Sequence, residues 1–205
     1  VADGRYGLAN RLANTSVNAA TLLMVSGNDI TLGGGASIGL VGTEFNHSLE
    51  LRAANNLQLT SGNIFLADNR NLKAYADNDG STIGSVNIGA GTFKVGAGAG
   101  NTSGLMDVKG AGITVSVSGG GSSLVEVTGS GSQTFTATDF NLQFLNQNAT
   151  SGNLQVRANT GTQTLSAAAG ALNVLAGTGS GTGVSVGSTG GNQIVTADAL
   201  NVTGG

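Results

Sequence analysis

The sequence predicts an all-β protein, a right-handed parallel β-helix (a β-solenoid) of roughly ten coils with about 19 residues in each. Two observations predict this fold: a short apolar–polar–apolar phrase that recurs along the chain, and a composition rich in residues that turn corners. The 205 residues include 36 Gly but no Pro, Cys or Trp. Because proline cannot donate a ladder hydrogen bond, its absence fits strands that pair on both sides.

The recurring phrase alternates with period two, as in a strand with one buried and one solvated face. It occurs at residues 30–32, 38–40, 49–51, 57–59, 64–66, 86–88, 93–95, 113–115, 154–156, 172–174, 184–186 and 200–202. Copies recur 18 to 20 residues apart, as from Ile30 to Leu49 and from Leu154 to Leu172. Such a repeat is too short for separate hairpins and suits one coil, whose strands pair with those of the next coil about 4.8 Å away.

Corners between the strands are predicted at Gly, Asn, Asp and Ser, which allow positive φ or bond the backbone through their side chains. Gly161 and Gly170 are examples, with Leu154 and Val156 facing the core and Gln155 facing water.

The chain divides into an N-terminal segment, residues 1–27, and the solenoid, residues 28–205. Leu8 and Leu12 have helical spacing, so the first segment is expected to cap the solenoid or to donate a strand to a neighbour. The start at Val1 without Met suggests processing or excision from a longer chain. The apolar patch Leu22–Val25 is too short to span a membrane and is expected to contact another subunit.

Composition excludes several classes of protein. Charged residues make up 9% of the chain, against roughly 25% in ordinary soluble domains. Disorder is not expected, because 39% of the residues are hydrophobic and the net charge is only −3. The eight Lys and Arg residues are scattered, so nucleic acid is not an expected partner. No apolar run approaches the length of a membrane span.

A search for reactive groups finds no catalytic, cofactor-binding or metal-binding residue. His47 is the sole histidine and is predicted to lie in a solvated turn. Asp77–Ser81 resembles the opening of a calcium loop, but its twelfth position is Ile88, so an Asx-rich corner is predicted. Glycine clusters at 33–35, 96–100 and 177–181 lack the Lys-Ser/Thr of a phosphate loop and are predicted to be corners or loops.

Three further features are interpreted as ordinary surface. Thr134 and Thr136 could begin a threonine ladder that binds ice, but with a 19-residue coil the equivalent positions, near 113–117 and 154–156, lack the motif. Asp107 and Lys109 are predicted to be solvated charges. A carbohydrate-active enzyme would need paired carboxylates and aromatics that stack on sugars, and only 11 acidic residues and 2 Tyr are available.

Residues 28–205 resemble the β-helical repeats of the filamentous haemagglutinin family of bacterial two-partner-secretion exoproteins. The stretches Asn56–Ile64 and Ala171–Val174 carry the resemblance. It implies a long secreted rod, often an adhesin, without cofactor or catalysis. The Asn-Pro-Asn motifs of the family's secretion domain and the Arg-Gly-Asp triplet of some members are absent from this chain.

Two functions follow from a repeat that makes length and carries no reactive group. The first is a non-enzymatic, extracellular structural protein whose subunits stack end to end into a bacterial surface filament. The second is an internal segment of a larger haemagglutinin-like adhesin, with host or surface glycans as possible ligands and a site in loops such as 96–104 or 118–123.

Overall fold

The structure, a computed structural model, describes residues 21–60, 62–89, 91–95, 104–117, 124–129, 131–144 and 151–204. All of its regular elements are strands, and all strand pairs within the ladders are parallel. The chain is therefore a parallel β-solenoid, as the alternating phrase predicted.

Eighteen strands repeat in a fixed order around three faces. Face 1 contains β1 (Thr21–Ser26), β4 (Ser48–Ala53), β7 (Leu72–Tyr75), β10 (Met106–Lys109) and β13 (Gln133–Ala137). Face 2 contains β2 (Ile30–Leu32), β5 (Leu57–Leu59), β8 (Ser85–Ile88), β11 (Gly112–Val117) and β14 (Asp139–Phe144). Face 3 contains β3 (Ser37–Ile38), β6 (Asn63–Leu66), β9 (Gly91–Val95), β12 (Leu124–Gly129), β15 (Ser151–Ala158) and β17 (Gly181–Ser188). The long strands β16 (Gln163–Leu175) and β18 (Gln193–Thr203) each continue from face 1 onto face 2.

The predicted coil length and coil number are wrong. The register pairs Leu49 with Leu72 and Leu72 with Met106, so one coil takes between 23 and 34 residues. Five coils with three separate strands are followed by β16–β17 and then by β18. Six steps lead from β1 to β18, which gives a ladder about 29 Å long.

The wrong period has a simple cause. The apolar–polar–apolar phrase occurs once on each face, not once in each coil. Residues 19 apart lie two strands apart in the chain, so Ile30 of face 2 was matched with Leu49 of face 1. The true partner of Ile30 is Leu57, and the true partner of Leu154 is Val184.

A narrow apolar core runs along the solenoid, because the inward side chains of all three faces meet there. Leu154 and Val156 are fully buried and Gln155 is half-buried, as predicted. Phe135 and Phe140 stack at a centroid distance of 5.4 Å where faces 1 and 2 meet. Burial on this scale is the main stabilising contribution to such a ladder.

Glycine forms one corner of the solenoid where the coils approach most closely. A Cβ atom at Gly131 would meet the backbone of Gly104, one at Gly161 would meet that of Gly131, and one at Gly191 would meet that of Gly161. Gly170 lies at the register shift inside β16, where a Cβ atom would strike Asp139. Both glycines predicted as corners are therefore confirmed.

Asn and Asp occupy other corners, but their side chains bond the next coil and not their own turn. The Oδ1 atom of Asn56 accepts from the backbone N–H of Ser85 at 3.1 Å. Asn71 does the same for Leu105, at 2.8 Å. Each such bond ties one coil to the coil that follows it.

The described part of the segment predicted as an N-terminal cap or donated strand belongs to the ladder. β1 pairs with β4 over six residues, from Thr21 opposite Ser48 to Ser26 opposite Ala53. Leu8 and Leu12 lie outside the described residues.

Candidate functional surfaces

His47 is not in a solvated turn, and that prediction is wrong. Its side chain is 5% exposed and packs edge-on against Phe45, with ring centroids 5.3 Å apart. The histidine is the third polar residue in the sequence Glu44-Phe45-Asn46-His47, and only the tertiary packing around Phe45 distinguishes it from its exposed neighbours.

The acidic loop at Asp77 is an Asx-rich corner, as predicted. The Oδ1 atom of Asp77 accepts from the N–H of Thr82 at 2.7 Å and from the hydroxyl of Ser81 at 3.1 Å. Asp77 itself has a φ of 55°. In the described part of the chain no three acidic or histidine side chains are placed to hold a metal ion together.

The glycine cluster at 33–35 is a turn with φ values of 63° and 76° at Gly34 and Gly35. The cluster at 177–181 joins β16 to β17, where the hydroxyl of Thr182 donates to the carbonyls of Gly177 and Gly179. The cluster at 96–100 and the candidate loop 118–123 lie outside the described residues, as does all of the loop 96–104 except Gly104.

The threonine ladder was compared with the wrong strands. Thr134 pairs with Thr164 and Thr136 pairs with Ser166, so the hydroxyl motif does recur on the next coil. The third row carries Ile194 in place of a hydroxyl. The outer side of face 1 therefore holds a four-residue patch of hydroxyls, which ends at β18.

A charged cluster lies beside this hydroxyl patch, on the outer side of β4, β7 and β10. The register places Lys73 next to both Glu50 and Asp107, in one outward column. It places Arg52, Tyr75 and Lys109 in the neighbouring column. We call these six residues the charged patch.

The carboxylates of the charged patch are occupied within it. Arg52 donates from Nε to Glu50 at 2.6 Å, and the Lys73 Nζ lies 4.0 Å from the other oxygen of Glu50. The Glu50 side chain is 12% exposed, whereas those of Arg52 and Lys73 are 41% and 48% exposed. The accessible surface of the patch is consequently cationic, although the whole chain is acidic.

Asp107 is more than a solvated charge, so its predicted environment needs correction. The Tyr75 hydroxyl donates to its carboxylate at 2.6 Å across neighbouring strands. Burial, followed by this hydrogen bond, raises the pKa of Tyr75 well above its usual range. Lys109 is exposed as predicted, and within the described residues no ion pair reaches it.

The second surface is the C-terminal edge of the ladder, formed by β18. Val195, Leu200 and Val202 continue the inward columns of Leu165, Leu172 and Val174. Their exposed fractions are 43%, 59% and 69%. Leu172, one coil below Leu200, is 3% exposed. The core columns are thus uncovered at this edge, where β18 pairs with β16 alone among the described strands.

Two amide ladders run through the last coils and end at the same edge. Inside the core, Gln193 donates to the Oε1 of Gln163 at 3.1 Å, and Gln163 donates to that of Gln133 at 3.0 Å. On the outer side, Asn201 donates to Asn173 and Asn173 to Asn141, each at 2.8 Å. Both ladders run in one direction, so each presents a carbonyl oxygen to whatever lies beyond β18.

The charged patch and the glutamine ladder were missed because both depend on the true register. Glu50, Lys73 and Asp107 are 23 and 34 residues apart and have no local pattern in common. The ladder did leave a signal: Gln133, Gln163 and Gln193 each stand two residues after a glycine at an interval of 30.

No segment of the described chain forms a helix that is long and apolar enough to cross a membrane. No protein-family model, curated protein or solved structure matches this sequence. The arguments for function therefore rest on the two surfaces themselves.

Proposed function

We propose that the protein is a non-enzymatic, extracellular structural subunit that stacks end to end into a filament. The observation that carries the proposal is the exposure of the inward side chains of β18, above all Leu200 and Val202. Side chains in these columns are buried in the coils below, so a further coil laid on β18 would remove the same apolar area from water.

The backbone of β18 supports the same proposal. A strand at the edge of a sheet presents a row of unpaired N–H and C=O groups to any strand that can add to it. A parallel strand added at this edge would therefore gain ladder hydrogen bonds as well as apolar contacts. Repeated addition in one direction gives an open polymer and not a closed ring.

Two finer properties belong to the proposal. A right-handed solenoid is favoured because crossover connections between neighbouring parallel strands are almost always right-handed. An extracellular location is supported by the likeness of the repeats to secreted β-helical rods.

Sedimentation velocity across a concentration series tests the assembly. We expect species larger than the 205-residue monomer to grow with concentration, and the double variant Leu200→Lys/Val202→Lys to remain monomeric, because two charges would face the joint. The matched control is Leu40→Lys/Ile83→Lys, which changes two equally exposed apolar residues away from β18. A wild-type chain that stays monomeric, or a control that disassembles to the same degree, would contradict the proposal.

The alternative, an adhesin segment, is favoured by a separate observation, the charged patch. Its exposed groups are the cations Arg52, Lys73 and Lys109, and its carboxylates point into the network. The hydroxyl patch continues the same two columns without a wall. An open, hydroxyl-lined, sparsely cationic strip suits a linear acidic polysaccharide, because its groups would pair with carboxylates and sugar hydroxyls along the chain.

Binding of polygalacturonate, measured by calorimetry, tests the adhesin proposal. We expect Lys73→Gln/Lys109→Gln to weaken binding about tenfold or more, and salt to weaken it in the wild type. The control is Lys94→Gln/Arg157→Gln, which removes two cations from one outward column of face 3 and gives the same net charge. Equal losses in both variants, or equal binding of single-stranded DNA, would contradict a polysaccharide site on the charged patch.

A further inference from the structure

We infer that β18 of one subunit pairs in parallel with β1 and β2 of a second copy, in the one register that continues the columns of the solenoid. This inference rests on the proposed end-to-end assembly and names the partner strands and their alignment. In that register Val195 lies over Met24, Leu200 over Ile30 and Val202 over Leu32.

The inward columns match at this joint. Met24, Ile30 and Leu32 begin the columns that Val195, Leu200 and Val202 end. The three residues of β1 and β2 pack against the core but are only partly buried. A joint in this register therefore places apolar side chains on apolar side chains at all three positions.

The outward columns of face 1 give an independent argument. In the five rows from β4 to β16 these columns hold charged residues, hydroxyls and Tyr75. Large aliphatic side chains occur only in the two end rows: Leu23 and Val25 on β1, and Ile194 on β18, which are 52%, 64% and 49% exposed. Polar residues would serve as well on these rows if they faced water alone. In the proposed register Ile194 lies directly over Leu23.

The outer amide ladder sets a direction. It ends in the free carbonyl oxygen of Asn201, and the column to which Asn201 belongs begins at Thr31. The Thr31 hydroxyl can donate to that oxygen, whereas a second Asn201 carbonyl in a joint of like ends would repel it. The ladder polarity therefore favours a head-to-tail joint.

The glutamine column is the one place where the joint brings no polar partner. Gln193 would lie over Leu22, at an exposed corner where its carbonyl remains in water. The same column already contains one step between an apolar residue and a glutamine, from Met106 to Gln133. This step is therefore compatible with a continuous ladder.

The corner between the two faces also fits. Met24 and Ile30 are six positions apart and Val195 and Leu200 are five apart, a difference of one residue. Between β16 and β18 the ladder accommodates a larger difference, because a register shift follows Ala167. A one-residue difference at the joint is within what this corner tolerates.

Engineered disulfides test the register, since the chain contains no cysteine of its own. Leu23→Cys/Ile194→Cys places two thiols on directly paired positions, within the Cα separation of about 4.4–6.8 Å that a disulfide needs. Val25→Cys/Ile194→Cys displaces one thiol by two residues along the strand, beyond that range. Within one subunit the two positions lie about 29 Å apart, so any bridge joins two copies.

After mild oxidation we expect the first variant to give a ladder of multimers on a denaturing, non-reducing gel, and the second to remain almost entirely monomeric. Bridging by the second variant, by both to the same extent, or by neither while sedimentation shows polymers, would overturn the register and leave end-to-end assembly standing. Dimers formed by the single variant Ile194→Cys would indicate a joint of like ends and would also overturn it. If sedimentation shows no polymer, the proposed function fails together with the inference.

Discussion

The amide of Gln163 donates to the Oε1 atom of Gln133, 3.0 Å away and one coil below, in the core of the solenoid. Both glutamines are 0% exposed. The second amide hydrogen of Gln163 bonds the carbonyl of Val156 at 2.9 Å. A polar side chain is stable at this position because each of its groups meets a partner.

Replacing Gln163 by methionine should lower the free energy of unfolding by about 2 kcal/mol, because the Gln133 and Val156 oxygens would be left buried without this donor. Chemical denaturation measures the change. Gln155→Met is the control, since Gln155 lies on the outer side of β15 and is half-buried. An equal loss in the two variants would refute a specific role for the ladder.

Gly161→Ala should destabilise the protein by about 1–3 kcal/mol, because its Cβ atom would press on the backbone of Gly131 and Ser132. Gly183→Ala is the matched control, as the nearest atom to its Cβ would lie at an ordinary contact distance of 3.5 Å. Thermal unfolding of the two variants compares them. A Gly161→Ala protein as stable as the control would show that the coils can separate at this corner at little cost.

Asn56→Ala should cost about 1 kcal/mol, since the Asn56 carbonyl oxygen accepts the Ser85 N–H of the next coil. Asn78→Ala, at an exposed turn position, should have a smaller effect. Urea denaturation checks the difference. If Asn78→Ala proved the more damaging change, the corner bonds between coils would not have the role assigned to them.

Tyr75 gives the protein a pH dependence in alkaline solution. Because burial and the bond to Asp107 raise its pKa in the folded state, the unfolded chain loses this proton first as the pH rises. The group's contribution to stability is fully present below about pH 10, the ordinary tyrosine pKa, and is lost progressively above it.

A Tyr6→Phe variant leaves Tyr75 as the sole tyrosine, so phenolate absorbance reports on it alone. We expect its ionisation only well above the usual tyrosine range, together with a stability that falls there. A Tyr75→Phe variant should lack this component of the fall. Ionisation of Tyr75 near its ordinary pKa in the folded protein would contradict the assigned environment.

The sequence was sufficient to predict the parallel solenoid, the inward residues and the glycine corners, because period-two alternation and corner chemistry are local properties. The coil length was not predicted correctly, since Leu154 and Leu172 carry the same phrase on different faces. The error carried over to every site that depends on register. Thr134 was compared with the wrong strand, and the pairing of Tyr75 with Asp107 was not foreseen.

Burial of polar residues was the second limit on prediction. Gln133 and His47 have the appearance of surface residues in the sequence, yet both are buried. In each case the cost of burial is offset by contacts from other coils or from a neighbouring ring, and these contacts have no local pattern.

Electron microscopy of the purified chain tests the central claim, end-to-end assembly, most directly. The account predicts unbranched rods much longer than the roughly 29 Å of a single ladder, which become shorter or disappear in Leu200→Lys/Val202→Lys. Dispersed particles of single-subunit length at every concentration, with no difference between the wild type and this variant, would contradict it.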